Sequence, residues 1–276
     1  ELVRAVLLEG SRGNPSATID EFSDYDIAIV VADRTPFVEG DVWQTWFGER
    51  LISWGDAGTV DGIERTMRLV IYADGTRIDY CIWDPDALRT MKERRQLPPI
   101  LDTGYRVLLD KDGITADLPA ATQMAHVPRM PDEAAFREFL DDFWLDAAYV
   151  AKSLKREQLL PAKFGLNLMI GLGHLRRLLE WRAEIDHQWS LAMGRHGRGL
   201  RHLAPVDHWR SLERVFVGAD PAENWEALWT ALDLHRRTAI EVADSLGYSY
   251  PHERDKAVTA YLTGLRERDA RGHPSP

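Results

Sequence analysis

Residues 8–31, LEGSRGNPSATIDEFSDYDIAIVV, join a Gly-Ser turn to Asp24 and Asp26 at the head of an apolar run. Side chains alternate across a β-strand, so positions i and i+2 project from one face. Two carboxylates held side by side at the edge of a buried strand repel each other unless a cation lies between them. Mg²⁺ suits that place, because it takes one or two carboxylates and lets substrate phosphates complete its octahedron. The segment is therefore expected to form a core strand whose end is a phosphate-handling metal site.

At 276 residues the chain has room for two domains of ordinary size. Its 45% hydrophobic and 28% charged residues are those of a globular protein with a real core. No apolar run approaches the ~18 residues of a membrane helix, and no signal-peptide pattern is present. The single cysteine, Cys81, excludes an internal disulfide and a Cys-based zinc site. Its place in YCIW predicts a buried, inert thiol, and the cytoplasm is the default compartment. The net charge of −10 argues against nucleic acid as a partner, since phosphate neutralisation dominates such binding. It would instead steer a cationic small molecule toward a metal-bound nucleotide. Because the chain opens at Glu1 directly before the strand-like VRAVLLEG, a preceding helical segment is expected.

Two halves differ in character, and together they predict an α+β protein. Residues 1–127 read as a mixed sheet, with strands expected at Val3–Glu9, Tyr25–Val31, Met67–Tyr72, Thr76–Trp83 and Tyr105–Asp110. Asp74-Gly75 is a strong hairpin signal. Helices are expected at Val42–Leu51 and at Pro85–Glu93, the latter opened by proline. From Pro131 the apolar period becomes helical: Phe136, Leu140, Phe143, Ala147, Val150 and Leu154 predict one helix over 132–159 capped by Asp132. Further helices are expected at Phe164–Ala183, Val206–Phe216, Ala222–Leu246 and His252–Glu267. Residues 128–276 thus form an all-α domain, joined through His126–Pro131 and ending in a frayed tail, RGHPSP.

Gly10-Ser11-Arg12 should open a helix or tight turn in which the Ser hydroxyl and free N–H groups hold phosphate oxygens. Twelve residues later comes Asp24-Tyr25-Asp26-Ile27. The pattern GS-x12-D-h-D-h resembles that of the nucleotidyltransferase superfamily that includes polymerase β. This resemblance implies that Asp24 and Asp26 bind Mg²⁺, two ions in all, with ATP as co-substrate. It also implies a third carboxylate on a neighbouring strand. Asp79 fits, since a lone charge in the apolar run RIDYCIW is expensive. A surface pair with Arg77 on an edge strand is the alternative. Asp79 would complete the metal site or accept the proton of the attacking hydroxyl.

LEGSRGNP, DEFSDYDIAIVVAD, WFG at 46–48, DGTRIDYCIW, DDFWLDAAYVAKSL, GRHGRGLRHL and GYSYP resemble, in the same order, landmarks of the aminoglycoside 6-adenylyltransferases. Membership implies a nucleotidyltransferase catalytic domain at 1–127 and a substrate-binding domain at 128–276. It implies transfer of AMP from ATP to the 6-hydroxyl of streptomycin with release of pyrophosphate, a reaction of antibiotic resistance.

The helical half agrees with a cationic acceptor. Glu138, Asp142 and Asp146 fall at i, i+4 and i+8, and Tyr149 continues the stripe. Such a stripe needs either solvent or a cation, and one of its carboxylates could serve as general base. The family pattern implies that Lys152 reaches the triphosphate, against a snorkelling surface lysine. The basic loop from Gly194 to Gly199, with Arg195, suits phosphate contact. None of the nine histidines has metal-ligand spacing, and most of the ten tryptophans are expected in the core. The rival readings are a nucleotidyltransferase with another acceptor and a non-catalytic nucleotide or drug sensor. The second is disfavoured by the three intact aspartates.

Overall fold

The computed structural model describes residues 1–60 and 62–267, with only the backbone of Val60. Two compact units divide the chain, Glu1–His126 and Val127–Pro276.

In the first unit, β1 (Val3–Glu9), β2 (Tyr25–Val31), β3 (Arg50–Val60), β4 (Ile63–Tyr72), β5 (Arg77–Trp83) and β6 (Arg106–Asp110) form one sheet in the order β3-β4-β5-β2-β1-β6. β2 and β5 run parallel, and the other neighbours are antiparallel. The central strands are apolar runs because both of their faces are covered. On one face α1 (Pro85–Arg94) buries Ala87, Leu88 and Met91 against Leu7, Ala28, Val30, Cys81 and Trp83. On the other, Phe37 and Trp43 cover Ile29, Val70, Tyr80 and Ile82. Cys81 is buried, and burial pushes its thiol well above the ordinary range.

Four of the five expected strands lie within a residue of their predicted bounds, and the fifth, β4, begins at Ile63 rather than Met67. The helix expected at Val42–Leu51 is instead a 3₁₀ turn, Val42–Phe47, followed by the unexpected strand β3. β3 is an edge strand interrupted by Gly55 and Gly58, so it lacks the apolar alternation that marks its neighbours. Trp46 and Trp54 in this region are exposed rather than core residues.

The second unit is helical. α2 (Glu133–Lys155) starts where expected, with Asp132 Oδ1 accepting from the Ala135 N–H at 2.8 Å. It ends earlier than 159, because Glu157 takes a positive φ of 57°. α3 (Leu159–Lys163), a π-helical segment (Phe164–Leu175) and α4 (Arg176–Asp186) follow without a break. α5 (Val206–Glu213), α6 (Pro221–Leu246) and α7 (His252–Glu267) complete the described bundle. Phe136, Phe143, Leu166, Ile170 and Leu228 lie in its core. The expected frayed tail falls outside the described residues.

The π-helical segment carries Gly165, Gly171 and Gly173. Gly165 is tightest against α2: a Cβ there would lie 2.7 Å from Val150 Cγ2 and 3.1 Å from the Tyr149 ring. Gly165→Ala is therefore expected to destabilise the protein by about 1–3 kcal/mol through overpacking, despite alanine's better helix propensity. Thermal or urea unfolding would show it, and a rise in the midpoint would contradict the close contact.

Candidate functional site

The parallel pairing of β2 with β5 sets Asp26 opposite Asp79, and the antiparallel pairing of β1 with β2 sets Glu9 opposite Asp26. Paired residues share a face, and neighbouring strands are ~4.8 Å apart, so three carboxylates form a row across the sheet. Asp24, two residues before Asp26, stands just outside β2. Arg77 grips Asp79 with two hydrogen bonds, Nε to Oδ1 and Nη2 to Oδ2, each 3.0 Å. Its Nη1 also lies 3.5 Å from Asp24 Oδ2. The pair considered as an alternative for Asp79 is thus present, but β5 lies inside the sheet and the Asp79 side chain is only 15% exposed.

The Gly10-Ser11 turn closes over this row. Gly10 has a φ of 65°, and a Cβ there would lie 2.1 Å from Asp26 Oδ2. Only glycine lets the backbone come this close to the carboxylate. Ser11 is half-buried in the helical turn Gly10–Gly13. Arg12 donates to the Ser23 and Asp24 carbonyls, and its guanidinium lies 4.0 Å from the Tyr25 ring centre. It braces the loop that carries Asp24. Lys152 on α2 and Arg195 in the short turn Arg195–Gly197 are exposed. Both belong to the second unit.

Glu9 was not anticipated. It is 3% exposed, and its Oε2 has no hydrogen-bond partner. Burial first, and the charge of Asp26 second, push its carboxyl up to about 8, so it holds a proton at neutral pH. The clue in the sequence is parity: Glu9 continues the buried face of Ala5 and Leu7. All four side chains offer oxygen only, the donor chemistry of Mg²⁺. The Gly10 cradle and the orphaned Glu9 oxygen beside them fit a hard cation at this edge.

In the second unit the acidic stripe is uneven. Glu138 and Asp142 are exposed beside a surface hollow of about 470 Å³, which Phe139 and Leu145 also line. Asp146 is buried and bonds His174 Nε2 from Oδ2 at 2.8 Å, while Asp142 Oδ2 lies 3.8 Å from the same nitrogen. Among the described residues, Asp142, Asp146 and His174 are the group whose donor atoms all lie within 4.8 Å of one another. His174 has no sequence signature, being one histidine in an apolar, glycine-rich run. Tyr149 is half-exposed and also packs against Gly165.

The streptomycin adenylyltransferase family model matches residues 1–265. The chain belongs to this family. Like its other members, it is a nucleotidyltransferase, as the order of its motifs implied. An aminoglycoside 6-adenylyltransferase of Bacillus subtilis (strain 168) is 27% identical over 96% of this chain and 92% of its own. One from Campylobacter jejuni is also 27% identical, over 96% and 90%. A crystal structure of an aminoglycoside 6-adenyltransferase from Bacillus subtilis shares the fold, with a TM-score of 0.50 and 24% identity over 97% of this chain and 93% of that one. Among the described residues, no helix is long and apolar enough to cross a membrane.

Glu9 gives the metal-free protein a pH signature. Its folded value of about 8 lies above the usual 4.5, so between these values the folded state keeps a proton that the unfolded chain has lost. This contribution is complete below about 4.5 and disappears as the pH rises through about 8. Glu9→Gln should flatten that fall, read from unfolding midpoints in chelator at mildly acidic and mildly alkaline pH. Parallel profiles for variant and wild type would contradict the buried, protonated carboxyl.

Proposed function

We propose that the protein transfers AMP from ATP to the 6-hydroxyl of streptomycin, releasing pyrophosphate and inactivating the drug. The observation that carries this reading is the row of carboxylates at Asp26 and Asp79, with Asp24 beside them and the Gly10-Ser11 turn closed over Asp26. The acceptor hydroxyl oxygen bonds to the α-phosphorus, the bond from that phosphorus to its bridging oxygen breaks, and pyrophosphate leaves. The hydroxyl proton goes to a carboxylate, with Asp79 and the acidic stripe of α2 each able to supply one.

Asp24, Asp26 and Asp79 would hold two Mg²⁺ ions, which supply charge stabilisation to the attacking and leaving oxygens when bound. The protein's own groups bind and orient. The Ser11 hydroxyl and the turn's N–H groups hold phosphate oxygens, and Arg12 keeps the loop of Asp24 in place. Lys152 and Arg195 are the cations we assign to the triphosphate. Glu138, Asp142, Asp146 and Tyr149 receive the ammonium and guanidinium groups of the acceptor. The supports for that assignment are the net charge of −10 and the acidic hollow on α2. A reaction that consumes ATP and a chain with one buried cysteine both belong in the cytoplasm.

Pyrophosphate release with ATP and Mg²⁺ is expected with streptomycin and not with kanamycin. Asp24→Asn or Asp26→Asn should lower kcat/KM by more than about a hundredfold with little change in the unfolding midpoint. Activity of either variant within about tenfold of wild type would sink the metal assignment. Release independent of both drugs would point to another acceptor.

A further inference from the structure

We propose that His174 is a positioning residue for acceptor recognition: its imidazole donates Nε2–H to Asp146 and fixes that carboxylate beside Asp142 for a cationic group. This rests on the reading above, in which the acidic face of α2 receives the aminoglycoside.

The geometry begins with Asp146, whose side chain is only 12% exposed. A carboxylate so buried is costly unless something hydrogen-bonds it. His174 Nε2, 2.8 Å from Oδ2, supplies that bond from the π-helical segment. Asp142, one turn earlier on α2, has a side chain 67% exposed and stands 3.8 Å from the same nitrogen. One carboxylate is thus anchored and the other is open to solvent, at the mouth of a single group. The bond to the imidazole commits Asp146 Oδ2 and leaves Oδ1 for a ligand.

The tautomer follows from the other ring nitrogen. Nδ1 of His174 is buried and has no hydrogen-bond partner. A proton on Nδ1 finds no acceptor, whereas one on Nε2 is accepted by Asp146, so Nε2 is the donating nitrogen. Aromatic rings hold the imidazole in this orientation. Phe139 and Phe143 meet it edge-on at 5.1 and 5.7 Å between ring centres. Phe143 in turn stacks on the buried His235 ring.

The same feature decides against a metal ion as the occupant. A metal-bound Nε2 would have to carry its lone pair and move the proton to Nδ1. Metal-ligating histidines almost always give that second N–H to an acceptor, and Nδ1 has no partner here. An ammonium or guanidinium, which brings its own donors, suits two carboxylates and an occupied imidazole better.

The test is calorimetric binding of streptomycin to the full chain without nucleotide, beside binding of ATP. His174→Ala is expected to weaken streptomycin at least about tenfold and leave the Kd of ATP unchanged. His174→Gln, whose side-chain amide places a donor near Nε2, should recover most of the loss. If His174→Ala fails to fold, His174→Asn, too short to reach Asp146, replaces it. Equal losses in the Gln and Ala variants, or a parallel loss of ATP binding, would overturn the positioning role. So would wild-type streptomycin binding in the Ala variant while Asp146→Asn binds weakly. Wild-type binding in both Asp142→Asn and Asp146→Asn would overturn the acceptor reading itself, and this proposal with it.

Discussion

Mutual repulsion among Glu9, Asp24, Asp26 and Asp79 is the constraint on which the first unit is built. Strand pairing alone brings three of them into one row, since Glu9 faces Asp26 and Asp26 faces Asp79. The protein answers in two ways. Arg77 shares one guanidinium between Asp79 and Asp24, while burial leaves Glu9 protonated and so removes one charge. The turn at Gly10 then sets backbone against Asp26 in a space that no side chain could share. The edge thus balances most of its charge with the protein's own groups.

The second unit solves a related problem with different means. A helix that puts acidic residues at every fourth position must leave them in water or give them partners. Here the stripe divides, with Glu138 and Asp142 in solvent and Asp146 carried inward to His174. The π-helical stretch and its glycines let that histidine approach, because a side chain at Gly165 would hold the two helices apart. π-helical geometry is rare and concentrates at functional sites.

Much of this was legible in the chain. Apolar runs bounded by turns marked β1, β2 and β5 closely, because buried central strands have little freedom in composition. Asp132 marked the start of α2, and the order of motifs along the chain marked the family. β3 escaped notice because an edge strand need not bury either face, and Gly55 and Gly58 broke its pattern. The early end of α2 depends on a left-handed residue at Glu157, which no composition rule requires. Glu9 and His174 were missed for a common reason. Each is a polar residue within an apolar run, and the carboxylate it meets, Asp26 or Asp146, lies on another element, so only the folded chain joins them.

The lone cysteine has a practical consequence. Cys81 sits under α1 in the apolar cluster of the sheet, with its thiol held in the unreactive form. The native chain therefore presents no competing thiolate to an alkylating probe. A cysteine placed by mutation on an exposed helix position would be the one reactive thiol, so a fluorophore or spin label could be attached at a chosen point without first removing a native residue. Substrate-dependent motion in either unit could then be followed spectroscopically in an otherwise unaltered protein.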